Sequence, residues 1–307
     1  MKRIANVVTV FMMLCTIPVW SQQRPVQSLY MFDPLLINPA YAGAQVQLSA
    51  TMIYRNQWVN LEGAPKTFTT TLHSGFLQSK MGLGLILSND QIGIHNDVGV
   101  YGVYSYKVKL NRELSLSMGL QGGFNYLVTD YNKLTLKNPG DPNLSGAVSK
   151  YNPNVGAGVY LRSTKFFLGL SSPQIIENTV VDLSVDTQAK QRRYYYVHGG
   201  TSMPISKVVK FVPSALIRFQ DEAPISFDVN TTFVFYDAVG LGVSYRLNEG
   251  VVALFELQLD DHFHVGYAYD YTTSDLNRVS NGSHELMINY RLKIPKIHKG
   301  LECPTYW

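Results

Sequence analysis

"LSLSMGLQGGFNY", residues 114–126, alternates between two kinds of side chain along its whole length. The even positions are mostly large and apolar: Leu114, Leu116, Met118, Leu120, Gly122, Phe124 and Tyr126. The odd positions are small or polar: Ser115, Ser117, Gly119, Gln121, Gly123 and Asn125. Successive side chains of a β-strand point to opposite faces, so this segment predicts a strand with one apolar and one polar face.

The same alternation recurs toward the C-terminus of the chain. It runs through residues 225–235, 263–271 and 285–293, where aromatic and aliphatic residues alternate with polar ones. No helical periodicity of comparable length is present. We therefore expect an all-β chain.

Fourteen strands are predicted in total. They cover residues 46–54, 67–75, 81–88, 97–108, 113–126, 154–162, 165–171, 193–203, 210–218, 225–235, 239–246, 251–259, 262–271 and 284–293. The connections after even-numbered strands are short, whereas most of those after odd-numbered strands are longer. The longest of these are 127–153 and 172–192, and the exception is the turn at 247–250.

This organisation is typical of a transmembrane outer-membrane β-barrel. An even number of antiparallel strands, with short turns at one end and long loops at the other, places both chain termini in the periplasm. Tilted strands of nine to eleven residues are long enough to cross the bilayer. We expect the barrel to span residues 46–294 and a periplasmic C-terminal tail to cover residues 295–307.

A secreted β-sandwich is the alternative, because its strands also alternate. Two features favour the barrel. The polar faces are rich in glycine, serine and asparagine with scattered charges, as expected in a crowded lumen. Tyrosines concentrate near predicted strand ends, where the interfacial girdles of membrane barrels lie: Tyr54, Tyr126, Tyr245 and Tyr271.

The first 21 residues have the pattern of a secretory signal peptide. Lys2 and Arg3 precede an apolar stretch that ends at Val19, and Ser21 closes it. Cys15 lies within this leader, so its removal leaves Cys303 as the one cysteine and excludes an intrachain disulfide. No later stretch is long and apolar enough for a transmembrane helix.

The composition gives no electrostatic reason to expect a nucleic-acid partner. Charged residues make up 16% of the chain, against roughly 25% in a typical soluble domain. Without Lys2 and Arg3 the 26 basic residues become 24 against 22 acidic ones, which gives a net charge of +2. This balance does not favour binding to nucleic acid, and the expected lipid partner is the outer membrane that surrounds the barrel.

The sequence contains no arrangement that predicts catalysis or a cofactor. His262 and His264 lie two residues apart beside Asp260 and Asp261, but three or four convergent ligands would be needed for a metal site. The glycines of "GLGLILSND", residues 82–90, alternate with leucines inside a predicted strand and do not open a helix, as a phosphate-binding loop requires. We expect no enzyme, no cofactor and no metal.

Two stretches do not fit simple strands. Residues 22–45 include "LYMFDPLLINPAYAG", residues 29–43, which is apolar, broken by two prolines and followed by a glycine. We expect this periplasmic segment to plug the mouth of the barrel or to bind a partner, through Tyr30, Phe32, Asn38, Pro39, Tyr41 and Gly43. "RNQWVNLEGAP", residues 55–65, is predicted as a loop after the first strand, and its candidate partner-binding residues are Arg55, Asn56, Gln57 and Trp58.

These stretches, in this order, resemble the PorP/SprF family. The resemblance rests on "YMFDPLLINPAYAG" at 30–43, "YRNQWVNLEGAPKTFTTTLH" at 54–73 and "GLGLILSNDQIG" at 82–93. "PNVGAGVYLRSTKFFLGLSSPQ" at 153–174 and "HVGYAYDY" at 264–271 also fit. The resemblance covers essentially the whole chain after the leader.

The resemblance implies an outer-membrane barrel associated with the type IX secretion system of gliding and related Gram-negative bacteria. Members of this family support export or surface attachment of a secreted protein with a C-terminal sorting domain, often a large adhesin. One branch contacts periplasmic components of the machinery that are linked to peptidoglycan. The family has no catalytic residues to transfer to this chain.

A channel or transporter for a small solute is the alternative function. Fourteen strands can enclose a lumen, which then needs a plug or serves as a passage. The inward-facing positions show neither a dense ring of charges nor a specificity motif, so a protein-binding role is favoured over transport.

Overall fold

Alternate apolar side chains favour a sheet with one face in lipid, and a computed structural model shows that the sheet closes on itself. The structure describes residues 26–44, 48–76, 80–134, 146–181, 189–221, 223–247 and 249–292. The predicted signal peptide and the predicted C-terminal tail lie outside these ranges. Fourteen antiparallel strands form a ring, because the last strand pairs with the first over nine residues, Leu48–Asn56 against His284–Leu292.

Among the described residues, the ring strands are arranged in chain order, and seventeen strand segments form the fourteen-stranded ring and one separate hairpin. They are β1 (Leu48–Asn56), β2 (Lys66–Phe76), β3 (Met81–Ile92), β4 (His95–Lys109), β5 (Ser115–Asp130), β6 (Ala147–Arg162), β7 (Phe166–Ser172), β8 (Asn178–Val181), β9 (Ala189–Gln191), β10 (Tyr194–Thr201), β11 (Met203–Pro204), β12 (Val209–Gln220), β13 (Ser226–Phe235), β14 (Val239–Arg246), β15 (Gly250–Gln258), β16 (Phe263–Thr272) and β17 (Ser283–Leu292). β8 and β9 form a separate hairpin, and β11 continues β10 along β12.

The regular helical segments among the described residues are short 3₁₀ turns. They cover Pro34–Leu36, Pro39–Tyr41, Tyr131–Lys133 and Asp275–Arg278. No helix in the described ranges is long and apolar enough to span a membrane.

The prediction of an all-β, fourteen-stranded barrel is confirmed, and each predicted strand has a counterpart. The largest difference is the predicted loop 127–153, much of which continues β5 and β6 as a long hairpin. The residues of this extension pair between β5 and β6, but their side chains do not form a regular apolar face. The alternation of apolar and polar residues therefore does not predict them as strands. The loop 172–192 also contains the β8–β9 hairpin.

Side-chain burial separates the two faces of the wall. On β5, Leu120 is 62% exposed on the outside, whereas Gln121 is 7% exposed on the inside. Many large apolar residues share this outward exposure, among them Met52, Leu83, Leu85, Met118, Leu168, Leu170, Phe233, Leu241, Val243, Leu286 and Ile288. A β-sandwich would bury these residues in a shared core, so the structure excludes that alternative.

Pro213 lies inside β12 and marks a break in the neighbouring strand. Proline has no N–H group to donate to a ladder. β12 pairs with β10 up to Gly200 opposite Ser214, and pairing resumes in β11 with Met203 opposite Phe211. The register is the same on both sides of the break, so the missing donor interrupts the ladder without shifting it.

The two ends of the barrel differ in their connections. We call the end where β1 begins the turn end, because the described connections 110–114, 163–165, 236–238 and 259–262 at this end are short. We call the opposite end, with connections 57–65, 131–146 and 173–193, the loop end. The β3–β4 connection at the loop end is also short, Gly93 and Ile94, because both strands extend beyond their predicted limits.

Candidate functional site: the N-terminal segment inside the barrel

The most distinctive feature of the barrel is the chain that occupies its lumen. Residues 26–44, which we call the N-terminal segment, lie against inward-facing side chains, and all of them are buried except the half-buried Gln27 and Leu36. Ala44 lies near the turn end, where its carbonyl oxygen accepts a 2.5 Å hydrogen bond from Arg162 Nη1. The segment therefore extends into the lumen from the end at which β1 begins.

Two short polar residues fix the turns of the N-terminal segment. Asp33 accepts a 3.3 Å hydrogen bond from the backbone N–H of Leu35, and the Thr71 hydroxyl donates to its other oxygen. Asn38 accepts from the N–H of Ala40 at 2.9 Å and donates to the carbonyl of Val159 at 3.0 Å. Each residue begins a 3₁₀ turn whose first position is proline, and each also ties that turn to the wall.

The aromatic residues of the N-terminal segment fill the space between the strands. Tyr41 is 1% exposed and contacts the rings of His73 and Tyr160 edge-on, with centroid separations of 5.6 Å each. Tyr30 accepts a 2.7 Å hydrogen bond from Asn230.

Apolar residues on both sides complete this packing. Val26, Leu29, Tyr30, Met31, Phe32 and Ile37 of the segment pack against inward-facing Ile53, Val212, Leu216, Val234, Val252, Leu254, Ala268 and Met287 of the wall. These wall positions explain why "VVALF", residues 251–255, lacks a polar face. A strand that is apolar on both faces is the signal by which the sequence could have revealed a packed lumen.

Close backbone approach requires glycine at two wall positions. A Cβ at Gly119 would overlap Pro39 and Ala40, and a Cβ at Gly82 would overlap the carbonyl of Ala42. Gly43 itself has φ of 64°, a conformation that glycine adopts at little cost. The segment can therefore lie directly on the wall of β3 and β5.

Charged side chains form a buried cluster nearer the loop end. Arg55 pairs with Glu285 and lies 3.2 Å from Asp270. Arg246 lies 3.1 Å from Asp228 and 3.5 Å from Asp270. Two further ion pairs complete the cluster: Arg218–Glu249 at 2.9 Å and Arg246–Glu249 at 3.4 Å.

This charge cluster holds the start of the N-terminal segment. Glu285 accepts hydrogen bonds from the backbone N–H groups of Ser28 at 2.6 Å and Leu29 at 3.0 Å. The Ser28 hydroxyl accepts from Arg55 at 3.1 Å and from Arg246 at 3.5 Å. With three arginines against four carboxylates, charge-assisted hydrogen bonds bind this part of the chain on several sides.

The sequence shows no dense ring of charges, and the structure adds that charged residues meet in a compact cluster on one side of the lumen. Alternation correctly assigns Asp228, Asp270 and Glu285 to the inward face, but it does not show that they meet. Their arginine partners come from other strands, and the cluster forms only when the ring closes.

The predicted loop at 55–65 is also corrected. Arg55 and Asn56 belong to β1, which extends two residues beyond its predicted end because Asn56 pairs with Lys66 and His284. Arg55 and Gln57 are buried at 3% and 4% exposure, whereas Asn56 and Trp58 are half-buried. Arg55 therefore contacts the N-terminal segment inside the barrel and is not part of a loop surface with Trp58.

The remaining predicted site residues all lie in the lumen. Tyr30, Phe32, Asn38, Pro39, Tyr41 and Gly43 are buried in the N-terminal segment. The segment does not only plug the mouth at the turn end. It continues through the lumen toward the loop end, where Ser28 and Leu29 contact the charge cluster. Whether these residues also bind a partner stays a prediction.

The histidine and aspartate residues near residue 260 do not form a metal site. His264 is 1% exposed on the inward face, while His262 lies in the turn before β16. Asp260 accepts 2.7 Å hydrogen bonds from the N–H groups of Phe263 and His262, which lower the pKa of its carboxyl group. The described residues contain no group of three or more histidine, cysteine or acidic side chains that could hold a metal ion.

The sequence of the chain matches a protein family over residues 19–290. That family is described as the type IX secretion system membrane protein PorP/SprF. This chain belongs to the PorP/SprF family. Together with the closed barrel, this places it in the outer membrane as a component related to type IX secretion.

Solved structures with a similar fold are outer-membrane barrels. The CymD monoaromatic hydrocarbon channel has a TM-score of 0.53 at 12% identity, with 89% of this chain and 94% of that chain covered. The Pseudomonas putida toluene transporter TodX has a TM-score of 0.50 at 9% identity, with 88% and 93% covered. At these identities the likeness shows the fold alone. No curated protein matches the sequence.

Gly119→Val tests whether packing of the N-terminal segment on β5 requires a residue without a side chain at position 119. The new side chain would overlap Ala40, so we expect residues 38–44 to exchange their amide hydrogens about tenfold faster than in the wild type. Gly122→Val on the same strand is the control, since a Cβ there meets nothing within 4 Å. Hydrogen exchange followed by mass spectrometry measures both. Equal protection in the two variants would contradict the packing described here.

Glu285→Gln tests the charge cluster. The change leaves Arg55 with one carboxylate and removes a charged acceptor from two backbone N–H groups. We expect the free energy of unfolding in lipid vesicles to fall by about 3 kcal/mol, because a buried ion pair loses one partner. Glu113→Gln makes the same chemical change in an exposed turn and should leave the unfolding free energy nearly unchanged. Similar losses in both variants would mean that the cluster does not stabilise the barrel.

Proposed function

We propose that this barrel is a non-enzymatic outer-membrane component that supports export or surface attachment of a type IX secreted protein. The partner would carry a C-terminal sorting domain and would be an adhesin or a similar surface protein. The same proposal includes a second role, in which the barrel acts within the secretion machinery itself. Membership of the PorP/SprF family supports the type IX context.

The observation that carries the proposal is the occupied lumen. Residues 26–44 lie across the interior and are fixed by hydrogen bonds, aromatic packing and the charge cluster. A passage for solutes needs continuous free space, whereas a barrel with a fixed internal segment offers rigid surfaces at its two ends. This arrangement favours binding over conduction.

The loop end offers a preorganised surface for the secreted partner. In the loop 57–65, Val59 donates a 2.9 Å hydrogen bond to the carbonyl of Gly282 and accepts another of 2.9 Å from Asn281. Gly93 donates to the carbonyl of Gly63 at 2.9 Å. Because neighbouring connections hold the loop, Trp58 is presented on a fixed backbone, which reduces the entropy lost on binding.

The turn end, where β1 begins and β17 ends, would face the periplasm in this proposal. Its short turns carry exposed apolar residues, including Leu110, Ile205, Tyr236 and Leu259, each more than half exposed. Such side chains beside polar turns are suited to contact with periplasmic type IX components linked to peptidoglycan.

Deletion of the gene tests the proposed function. We expect at least one sorting-domain protein to disappear from the cell surface, measured by surface proteomics with and without protease treatment of whole cells. Re-expression of the wild-type gene in the deletion strain is the control and should restore the surface protein. Normal surface levels of every sorting-domain protein in the deletion strain would overturn the proposal.

Conductance distinguishes the proposed function from a channel for small solutes. In planar bilayers we expect the wild-type barrel to pass little current, because the N-terminal segment occupies the lumen. A variant lacking residues 26–44 should show larger conductance steps if it inserts as a barrel, which heat-modifiable gel migration verifies. A wild-type current as large as that of the deletion variant would favour transport.

A further inference from the structure

A cavity remains inside the barrel between the N-terminal segment and the loop end. Its volume is about 180 Å³. Val26, Leu36 and Ile37 of the segment line one side of the cavity, and Pro65 and Ile92 line it at the loop end. The space is smaller than a typical small-molecule pocket, so it has room for part of an extended chain and not for a folded domain.

The cavity wall combines aromatic rings with side-chain amides. Tyr101, Tyr194 and Tyr196 supply the rings, and Gln27, Gln57, Gln121, Asn125 and Gln174 supply the amides. The charged groups of the lining are Arg55 and Asp90. The wall therefore offers hydrogen-bonding groups within a largely apolar surface and is almost neutral, which does not suit a strongly charged ligand.

Two buried polar atoms in this wall lack hydrogen-bond partners. Gln121 is 7% exposed and donates to the carbonyl of Pro173 at 2.9 Å, but its own Oε1 atom accepts no hydrogen bond. Arg55 is 3% exposed, and its Nε atom also has no partner. A buried polar group left without a partner costs about 1–3 kcal/mol, so a small movement of either side chain toward a bound ligand would recover part of that cost.

We propose that this cavity binds an extended, uncharged segment of the secreted partner, which enters from the loop end. This inference rests on the proposed function and names the site at which the partner is held. Peptide groups alternate donors and acceptors, and side-chain amides can satisfy both kinds. The apolar side formed by Val26, Leu36 and Ile37 would receive an apolar side chain of the same segment, and the tyrosine rings would pack along it.

Filling the cavity tests this inference. Ser88 lines the cavity, so Ser88→Trp would occupy space that the peptide needs. Leu87→Trp is the matched control, because Leu87 is 39% exposed on the lipid-facing side of the same strand. Heat-modifiable migration shows that both variants form barrels. We expect Ser88→Trp to lower the surface level of the partner about tenfold and Leu87→Trp to leave it unchanged.

The outcomes separate the cavity inference from the proposed function. If gene deletion leaves every surface protein in place, the proposed function fails. If deletion removes a surface protein but Ser88→Trp supports it as well as the wild type does, only the cavity inference fails.

Site-specific photocrosslinking identifies what the cavity holds, even if Ser88→Trp does not assemble. p-Benzoylphenylalanine would replace Tyr196, which lines the cavity, and in a separate strain Tyr195, which is 42% exposed on the outer face. We expect irradiation of intact cells to join residue 196, but not residue 195, to a peptide from a sorting-domain protein. A carbohydrate adduct at residue 196, or no adduct with a secreted protein there, would overturn the inference.

Discussion

Closure of the sheet is the constraint on which the rest of this structure depends. The hydrocarbon interior of a membrane offers no hydrogen bonds, so each strand must pair on both sides. The pairing of β1 with β17, from Leu48 opposite Leu292 to Asn56 opposite His284, satisfies the two strands that would otherwise be edges. The same closure brings residues from opposite ends of the chain together. Glu285 thereby meets Ser28, Leu29 and Arg55, which precede it by 257, 256 and 230 residues.

A closed ring of fourteen strands encloses more space than its inward-facing side chains fill, and the N-terminal segment occupies part of it. Burying the charges of Arg55, Arg246 and Glu285 carries a desolvation cost that pairing must offset. Each of these groups has an opposite charge within 3.5 Å, and Glu285 also accepts two backbone hydrogen bonds. The cluster is therefore better suited to fixing one position of the segment than to adding a large net stabilisation.

The fold could be predicted from alternation because lipid and lumen demand different side chains on the two faces of each strand. Alternation predicts β5 and β17 correctly. It fails where the surroundings of a strand face are not lipid on one side and a polar lumen on the other. Residues 147–153 of β6 pair without a regular lipid face, and Met287 points inward although it is apolar, because it packs on the N-terminal segment. The candidate site was predicted only in part, since proline and glycine mark the segment but no local pattern shows which distant side chains contact it. For that reason the sequence predicts Arg55 as part of a loop.

The direction of the N-terminal segment bears on how the barrel could hold a partner. Ala44 lies at the turn end near Arg162, whereas Ser28 reaches the charge cluster, so the segment crosses much of the lumen and does not merely cap one mouth. A chain that entered from the loop end would meet Val26, Leu36 and Ile37 instead of an open passage. Transit through the barrel would require the bonds of Glu285 to break together, whereas binding above the segment leaves them intact. A fixed segment beneath a nearly neutral cavity is thus a geometry for anchoring a chain, and the cavity depends on that segment for one of its sides.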